Sequence, residues 1–338
     1  MTYELKKLIE TGIIWQKKGI KVVLATVVAL EGSSYRRPGV RMILSENGKW
    51  MGNVSGGCVE KEVSRQAQSV FNTQKAKVMS YDGSYRLGCE GILYILLEPF
   101  EISDACYLSF QRIIEDRKHF TCKSYFQKMK DNSNEMGSVL TLENESFKIS
   151  PTFNTKQIET LESFSQDFTP IFTLYIFGAE HDAGELCKMA TQIGWEVYIV
   201  APPNEAKSID YFAGAKRFLT PAFDEINTLV FDANTAIVVM THSFNKDVQY
   251  LMALRDAKPA YFGLLGPAHK RERLFSKFLE YFPDTSYEFF EKIHGPAGIN
   301  IGAENGSEIA VSILAEILSV LRKRDPIFLR DKMGQIHE

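Results

Sequence analysis

The sequence predicts an α/β protein of two parts: an N-terminal strand-rich α/β domain, then a Rossmann-like domain built on a doubly wound parallel sheet. Three observations carry this. After residue 171, strand-like and helix-like stretches alternate, which is the pattern of a parallel sheet with crossover helices. Before residue 100, β-branched runs are separated by glycine turns and only one strong helical stretch crosses them. Between them, 103–168 is more polar and reads as a connecting add-on and linker. The predicted divisions are therefore 1–102, 103–168 and 169–338. The 338 residues fit about two domains by length.

In order, residues 3–18 have leucine and isoleucine at helical spacing and end at Gly19. Lys21 to Leu30 is a β-branched run, read as a buried strand. The loop Glu31 to Gly39 holds Ser33, Ser34, Arg36 and Arg37, and two arginine forks beside hydroxyls suit a phosphate or carboxylate. The plain alternative is a solvated turn. Val40 to Leu44 and Trp50 to Val54 are strands joined by the hairpin turn Glu46-Asn47-Gly48-Lys49. The stretch Gly52 to Glu60 follows, a glycine turn leading into the helix Val59 to Thr73. After Ser55, the two glycines Gly56 and Gly57 let the backbone approach a ligand, and the helix start offers free N–H groups to an anion. A thiol at such a start, here Cys58, gains thiolate character. A helix entry with a buried cysteine is the competing reading. Lys77 to Tyr81 and Ile92 to Leu97 are strands flanking a second glycine loop that carries Cys89.

In the middle, Asp104 to Asp116 reads as a helix, and 121–126 and 137–142 as strands. Ser146 to Gln166 reads as linker or edge hairpin. The second domain begins with the strand Phe172 to Phe177, running into Gly178-Ala179-Glu180-His181-Asp182-Ala183-Gly184 and a helix over Glu185 to Ile193. Strands at Trp195 to Val200, Ala236 to Met240 and Ala260 to Leu264 alternate with helices at Asn245 to Arg255 and Pro267 to Phe282. The last helix, Asn305 to Arg322, opens with Asn305 and Glu308 at capping-box spacing.

The Gly178 turn stands where a dinucleotide fingerprint would, but Glu180 fills the slot where backbone should meet a pyrophosphate. Val200 is followed by Ala201-Pro202-Pro203, without the acidic residue that holds a ribose hydroxyl. Ordinary NAD(P) binding therefore fits poorly. His181, Asp182, Thr241, His242 and Asp247 converge on the carboxyl edge of the sheet, which makes Gly178, His181, Asp182 and His242 binding candidates.

Composition narrows the class. Hydrophobic residues are 45% and charged residues 24%, ordinary for a globular protein. A net charge of -3 gives no electrostatic case for nucleic acid or an anionic membrane. Five cysteines with no C-x-x-C pair argue against a disulfide framework and a structural zinc site. No stretch reads as a signal peptide or a bilayer span, so a cytoplasmic protein without membrane insertion is expected.

The motifs together resemble the XdhC/CoxI family, accessory proteins of xanthine dehydrogenase and related molybdenum hydroxylases. The first domain carries the likeness in Gly32-Ser33-Ser34-Tyr35-Arg36, in Ser55-Gly56-Gly57-Cys58-Val59-Glu60 and in Leu87-Gly88-Cys89-Glu90-Gly91. The second carries it in Gly178-Ala179-x-His181-Asp182-Ala183, in Thr241-His242-Ser243 and in the run Ile293 to Glu304. The likeness covers roughly 20–100 and 172–320. It implies a chaperone that binds molybdenum cofactor (molybdopterin) transiently, supports its sulfuration with a cysteine desulfurase, and delivers it to the hydroxylase. Under that reading Ser33, Arg36, Arg37, Ser55, Gly56 and Gly57 hold anionic groups. Cys58 and Cys89 are then soft ligands to molybdenum or persulfide carriers. The family commonly has glycine at position 180 and an acidic residue at 201, so this chain departs from it there. A maturation factor is favoured over an enzyme, and a homodimer is compatible with it. The competing classes are an NAD(P)-dependent oxidoreductase using the second domain and an adaptor with inert cysteines.

Overall fold

The computed structural model describes residues 1–32, 37–83, 91–128 and 131–333, with Cys58 and Gln157 described by backbone alone. The chain divides into two compact units, Met1–Pro170 and Ile171–Glu338.

Unit one opens with helix α1 (Thr2–Lys17), whose Leu5, Leu8, Ile9 and Ile13 are buried. Its first sheet has the order β3-β2-β1-β5-β4. The strands are β1 (Val22–Gly32), β2 (Arg41–Ser45), β3 (Trp50–Gly52), β4 (Lys77–Asp82) and β5 (Gly91–Pro99). All its neighbours pair antiparallel. Helix α2 (Cys58–Thr73) covers one face through Val59, Val63, Ala67 and Val70, all fully buried.

Helix α3 (Asp104–Glu115) and two strands form where the sequence indicates them, and the stretch read as linker or edge hairpin contributes to two more, giving a second antiparallel sheet ordered β8-β7-β6-β9. Its strands are β6 (Phe120–Phe126), β7 (Gly137–Leu142), β8 (Glu145–Lys148) and β9 (Glu162–Phe168). β9 looked polar because a strand with one wet face buries only alternate residues. It pairs with β6 over seven residues. Phe110, Phe120, Cys122, Leu140 and Phe168 share one core with Leu5, Leu8, Leu24 and Ile43, so 103–168 belongs to unit one.

Between the two sheets lies a buried polar group. Glu98 is fully buried and accepts from Ser138 N–H at 2.8 Å and from Ser138 Oγ–H at 2.5 Å. Burial raises its carboxyl from 4.5 to about 7, against the lowering effects of Ser138 and Arg41. Arg41, also buried, donates from Nη1 to Gly39 C=O at 2.9 Å and to Gln166 Oε1.

Unit two is one parallel sheet ordered β12-β11-β10-β13-β14-β15. The strands are β10 (Thr173–Phe177), β11 (Glu196–Val200), β12 (Arg217–Leu219), β13 (Thr235–Val239), β14 (Tyr261–Leu264) and β15 (Ile293–His294). Helices α4 (His181–Gln192) and α8 (Gly306–Arg322) contribute to the core on one side. α5 (Phe244–Ala253) and α6 (Ala268–Tyr281) contribute to the other, with the short α7 (Tyr287–Glu291) before β15. This is the doubly wound order, so the sequence reading of the fold class holds. Asn305 caps α8 by accepting from Glu308 N–H at 3.0 Å. α4 begins four residues earlier than its apolar spacing indicated, because the turn after Gly178 is tight enough for Glu180 to serve as N-cap. Among the described residues no helix is long and apolar enough to cross a membrane.

The raised Glu98 carboxyl gives a pH test. Its folded value lies above the unfolded one, so its contribution to stability is full below about 4.5 and falls as pH rises towards about 7. The loss is on the order of 3 kcal/mol. Glu98→Gln should flatten the stability profile across that window in urea unfolding at pH 5 and pH 8. An unchanged profile in the variant would show that Glu98 is not the titrating group.

Candidate functional site

In unit one, the chain leaves β3 at Gly52 and enters α2 at Cys58. Gly57 is the N-cap, with φ of 74°, a left-handed conformation that a side chain would strain. The segment between is fixed by one side chain. Glu60, in the first turn of α2 and 3% exposed, accepts through Oε1 from Val54 N–H at 2.9 Å and from Ser55 N–H at 2.8 Å. Its Oε2 is buried without a hydrogen-bond partner among the described residues. An internal carboxylate thus takes the N–H groups of Val54 and Ser55, the second of which belongs to a residue the sequence reading offered to a ligand. What remains for an external anion is the Gly56-Gly57 turn and the first N–H groups of α2. Gly56 and Gly57 are exposed, with open space where a Cβ would stand.

Strand register shows which loops leave the same end of the sheet. Gly32, the last residue of β1, pairs with Gly91, the first of β5. Asp82, the last of β4, pairs with Ile92. Gly52, the last of β3, pairs with Met42 near the start of β2. The connections 33–40, 53–57 and 83–90 therefore all depart from one end of the five-stranded sheet. Ser33 and Arg36 in the first, and Cys89 in the third, lie outside the described residues; Arg37 is exposed. Cys58 stands at the first position of α2. Cys106, Cys122 and Cys187 are buried, and burial pushes the Cys106 and Cys187 thiols up to about 12 and Cys122 upward too.

In unit two the candidates meet at the switch point of the sheet. From β10 the chain winds to β11 and β12, and from β13 it winds the other way. The loops after β10 and β13 flank the crevice between them. Gly178 has φ of 140°, and a Cβ there would stand 2.5 Å from Met240 C=O, so no other residue fits. Asp182 in the first turn of α4 meets His242 across the crevice, Oδ2 to Nε2 at 3.1 Å. His181 is exposed beside it. His242 has a left-handed φ of 56°. Its loop is held by buried Asp247, which accepts from Thr241 Oγ–H at 2.5 Å and pairs with Lys270 Nζ at 2.5 Å. Glu180 reaches Lys207 at 3.5 Å on the loop after β11. A carboxylate therefore stands at the start of α4, where a pyrophosphate would lie. Among the described residues no cluster of three or more ligating side chains could hold a metal ion.

Sequence reasoning missed Glu60 and Lys270. For Glu60 the signal was present: a glutamate two residues beyond the first turn-forming cysteine occupies the capping-box position. Lys270 comes from another helix, and no local pattern announces it.

Comparison with known proteins finds one family. Residues 15–82 match "XdhC and CoxI family", and residues 174–317 match "XdhC Rossmann domain". A Bacillus subtilis protein, named as one of the subunits of a probable xanthine dehydrogenase, is 27% identical, over 90% of this chain and 94% of its own. An Escherichia coli protein named molybdenum cofactor insertion chaperone PaoD is 26% identical, over 89% of this chain and 84% of its own. A crystal structure described as a xanthine dehydrogenase from Bacillus halodurans superposes with a TM-score of 0.74 at 25% identity, covering 94% of this chain and 96% of that one.

Glu60→Ala leaves Val54 and Ser55 N–H groups without their acceptor, at a cost of about 1–3 kcal/mol. Hydrogen exchange at those two amides should accelerate about tenfold or more, while the strand amides of β1 stay protected. Unaltered exchange at 54 and 55 would mean that the loop is held by something else.

Proposed function

The chain belongs to the XdhC and CoxI family, and from that premise we propose that it binds molybdenum cofactor and hands it to a xanthine dehydrogenase-type hydroxylase. The observation that carries the proposal is the gathering of three motif loops at one end of the first sheet, with Cys58 at a helix start among them. The name of the Escherichia coli relative supports the same cargo.

The residues fit that cargo chemically. Molybdenum cofactor carries a phosphate at one end and an anionic dithiolene-bound metal at the other. Gly56, Gly57 and the first N–H groups of α2 are donors for one anionic end, and Arg36 and Arg37 for the other. Cys58 is assigned as the thiolate that faces the metal, with Cys89 its partner from the neighbouring loop. Glu60 shapes the cradle rather than filling it, because it fixes Val54 and Ser55 and leaves the glycine turn open. Support of sulfuration by a docked cysteine desulfurase belongs to the same proposal, with a cysteine of these loops carrying the sulfur.

Cys58 should therefore alkylate with iodoacetamide faster at neutral pH than Cys106, Cys122 or Cys187, all buried with raised thiol values. Bound cofactor should protect it. Cys58→Ser should keep the far-UV spectrum yet purify from a molybdate-fed host with less molybdenum and less pterin, read by metal analysis and by fluorescence after iodine oxidation. Equal loading of wild type and variant would remove Cys58 from the site.

An NAD(P)-dependent oxidoreductase remains the second reading, since unit two has the doubly wound order. The Glu180–Lys207 pair at the start of α4 and the apolar Ala201 after β11 weigh against it. We expect NAD(H) and NADP(H) to bind no tighter than roughly millimolar, a free energy of about -4 kcal/mol. Calorimetry giving micromolar affinity would reverse the ranking of the two readings.

A further inference from the structure

Two features of unit two take no part in the proposed cofactor site, and they adjoin each other. The first is the segment that follows α8. The second is a cleft of about 770 Å³ at the amino ends of β14 and β15, the last two strands of the sheet.

Local chemistry fixes how the segment leaves the helix. Lys323 takes a left-handed conformation, with φ of 52°, and its N–H donates to Val320 C=O at 3.1 Å. Arg324 N–H donates to Ser319 C=O at 3.0 Å, and Ser319 Oγ–H donates to Arg324 C=O. These bonds close the helix end, and Pro326 keeps the helix from resuming. A short turn at Leu329–Asp331 follows, with Asp331 N–H on Phe328 C=O at 2.9 Å. Ile327, Phe328 and Leu329 stand there in succession, 60%, 71% and 64% exposed. Three consecutive large apolar side chains in water mark a contact surface, because folding of the single chain gains nothing from them there. Arg330 lies over the Phe328 ring at 4.9 Å and reaches Asp331 at 3.7 Å, so charges of both signs adjoin the apolar triplet.

The cleft has a matching make-up. Pro259, Phe289 and Val320 give it an apolar lining. Part of its wall is held in place: the His294 ring stacks on Tyr261, with centroids 4.6 Å apart, and its Nδ1 meets Glu316 Oε1 at 3.1 Å. The charged residues lining it are Arg255, Asp256, Lys258, Glu288 and Lys292, with Asp256 on Arg255 at 3.2 Å. A rim of mixed sign offers no single field to a small ion and suits a peptide that carries both signs. Val320 lines the cleft and also accepts from Lys323 where the segment departs. The segment is therefore rooted at the edge of the cleft, and its apolar triplet stands exposed.

We propose that Ile327, Phe328 and Leu329 of one copy dock in this cleft of a second copy, and the reverse. The chemistry of the occupant is present on the chain itself. The triplet matches the apolar lining, Arg330 has Asp256 and Glu288 to meet, and Asp331 has Lys258 and Lys292. Each segment is rooted beside its own cleft. Two copies facing across a two-fold axis thus bring each root beside the other cleft, and the exchange closes on itself. From Lys323 to Phe328 the chain can extend up to about 17 Å, enough to cross to a facing copy. The exchange is independent of the cargo and of the loops of unit one.

The test is sedimentation of the full chain over a concentration series, joined to cross-linking. The wild type should dimerise with a dissociation constant below about 10 μM. Phe328→Asp, a change at an exposed side chain, should weaken association at least about tenfold while the melting temperature holds. Photo-reactive benzoylphenylalanine in place of Phe328, in a mixture of isotope-labelled and unlabelled chains, should cross-link to 255–262 or 286–294 of the other isotopic form. A wild type that stays monomeric at that concentration would overturn the proposal. So would a dimer indifferent to Phe328→Asp, or cross-links that stay within one chain or fall outside the cleft.

Discussion

The buried carboxylate of Glu60 is the interaction on which the first unit's chemistry depends. A glycine turn between a strand and a helix has many conformations, and Gly56 and Gly57 choose none of them. Glu60 chooses by accepting from Val54 and Ser55, while Val54 and Val59 anchor either end in the core beneath α2. The result is a turn whose inner N–H groups are spent and whose outer ones are available. Burying a carboxylate is costly unless it is hydrogen-bonded. Its position at the third residue of α2 adds the helix dipole to the two bonds.

Both units solve the same problem by different sheets. In unit one an antiparallel sheet sends three connections off one end, and register alone brings them together. In unit two a parallel sheet reverses its winding between β10 and β13 and opens a crevice there. There too a buried acid stands behind the exposed group: Asp247, held by Lys270, fixes the Thr241–Ser243 turn that carries His242. In both units a buried carboxylate thus fixes the backbone of a loop at the end of the sheet.

Much of this was legible in the sequence. Alternation and length gave the doubly wound unit, and the Asn47-Gly48 turn gave the β2–β3 hairpin, where Ser45 N–H bonds to Lys49 C=O at 2.8 Å. The Gly178 turn, Asp182 and His242 lie at the sheet edge where the sequence puts them, because strand ends are readable from apolar runs. What escaped detection was long-range. β9 alternates polar and apolar residues and reads as either linker or edge hairpin until β6 is beside it. Glu98 looks like the polar end of a strand, and only the second sheet laid over it makes it buried. His294 drew no role of its own, because its partners Tyr261 and Glu316 lie 33 residues before and 22 after it. Local pattern reports local structure, and side chains recruited from distant elements leave no trace in it.

The central claim is that the loops at one end of the first sheet hold the cargo through a cysteine thiolate. Molybdenum K-edge X-ray absorption on the loaded protein tests it most directly. The account predicts a molybdenum–sulfur contribution beyond the cofactor's own dithiolene, lost or diminished when Cys58 and Cys89 are replaced by serine. Identical spectra from the wild-type protein and the doubly substituted protein, at equal loading, would contradict it.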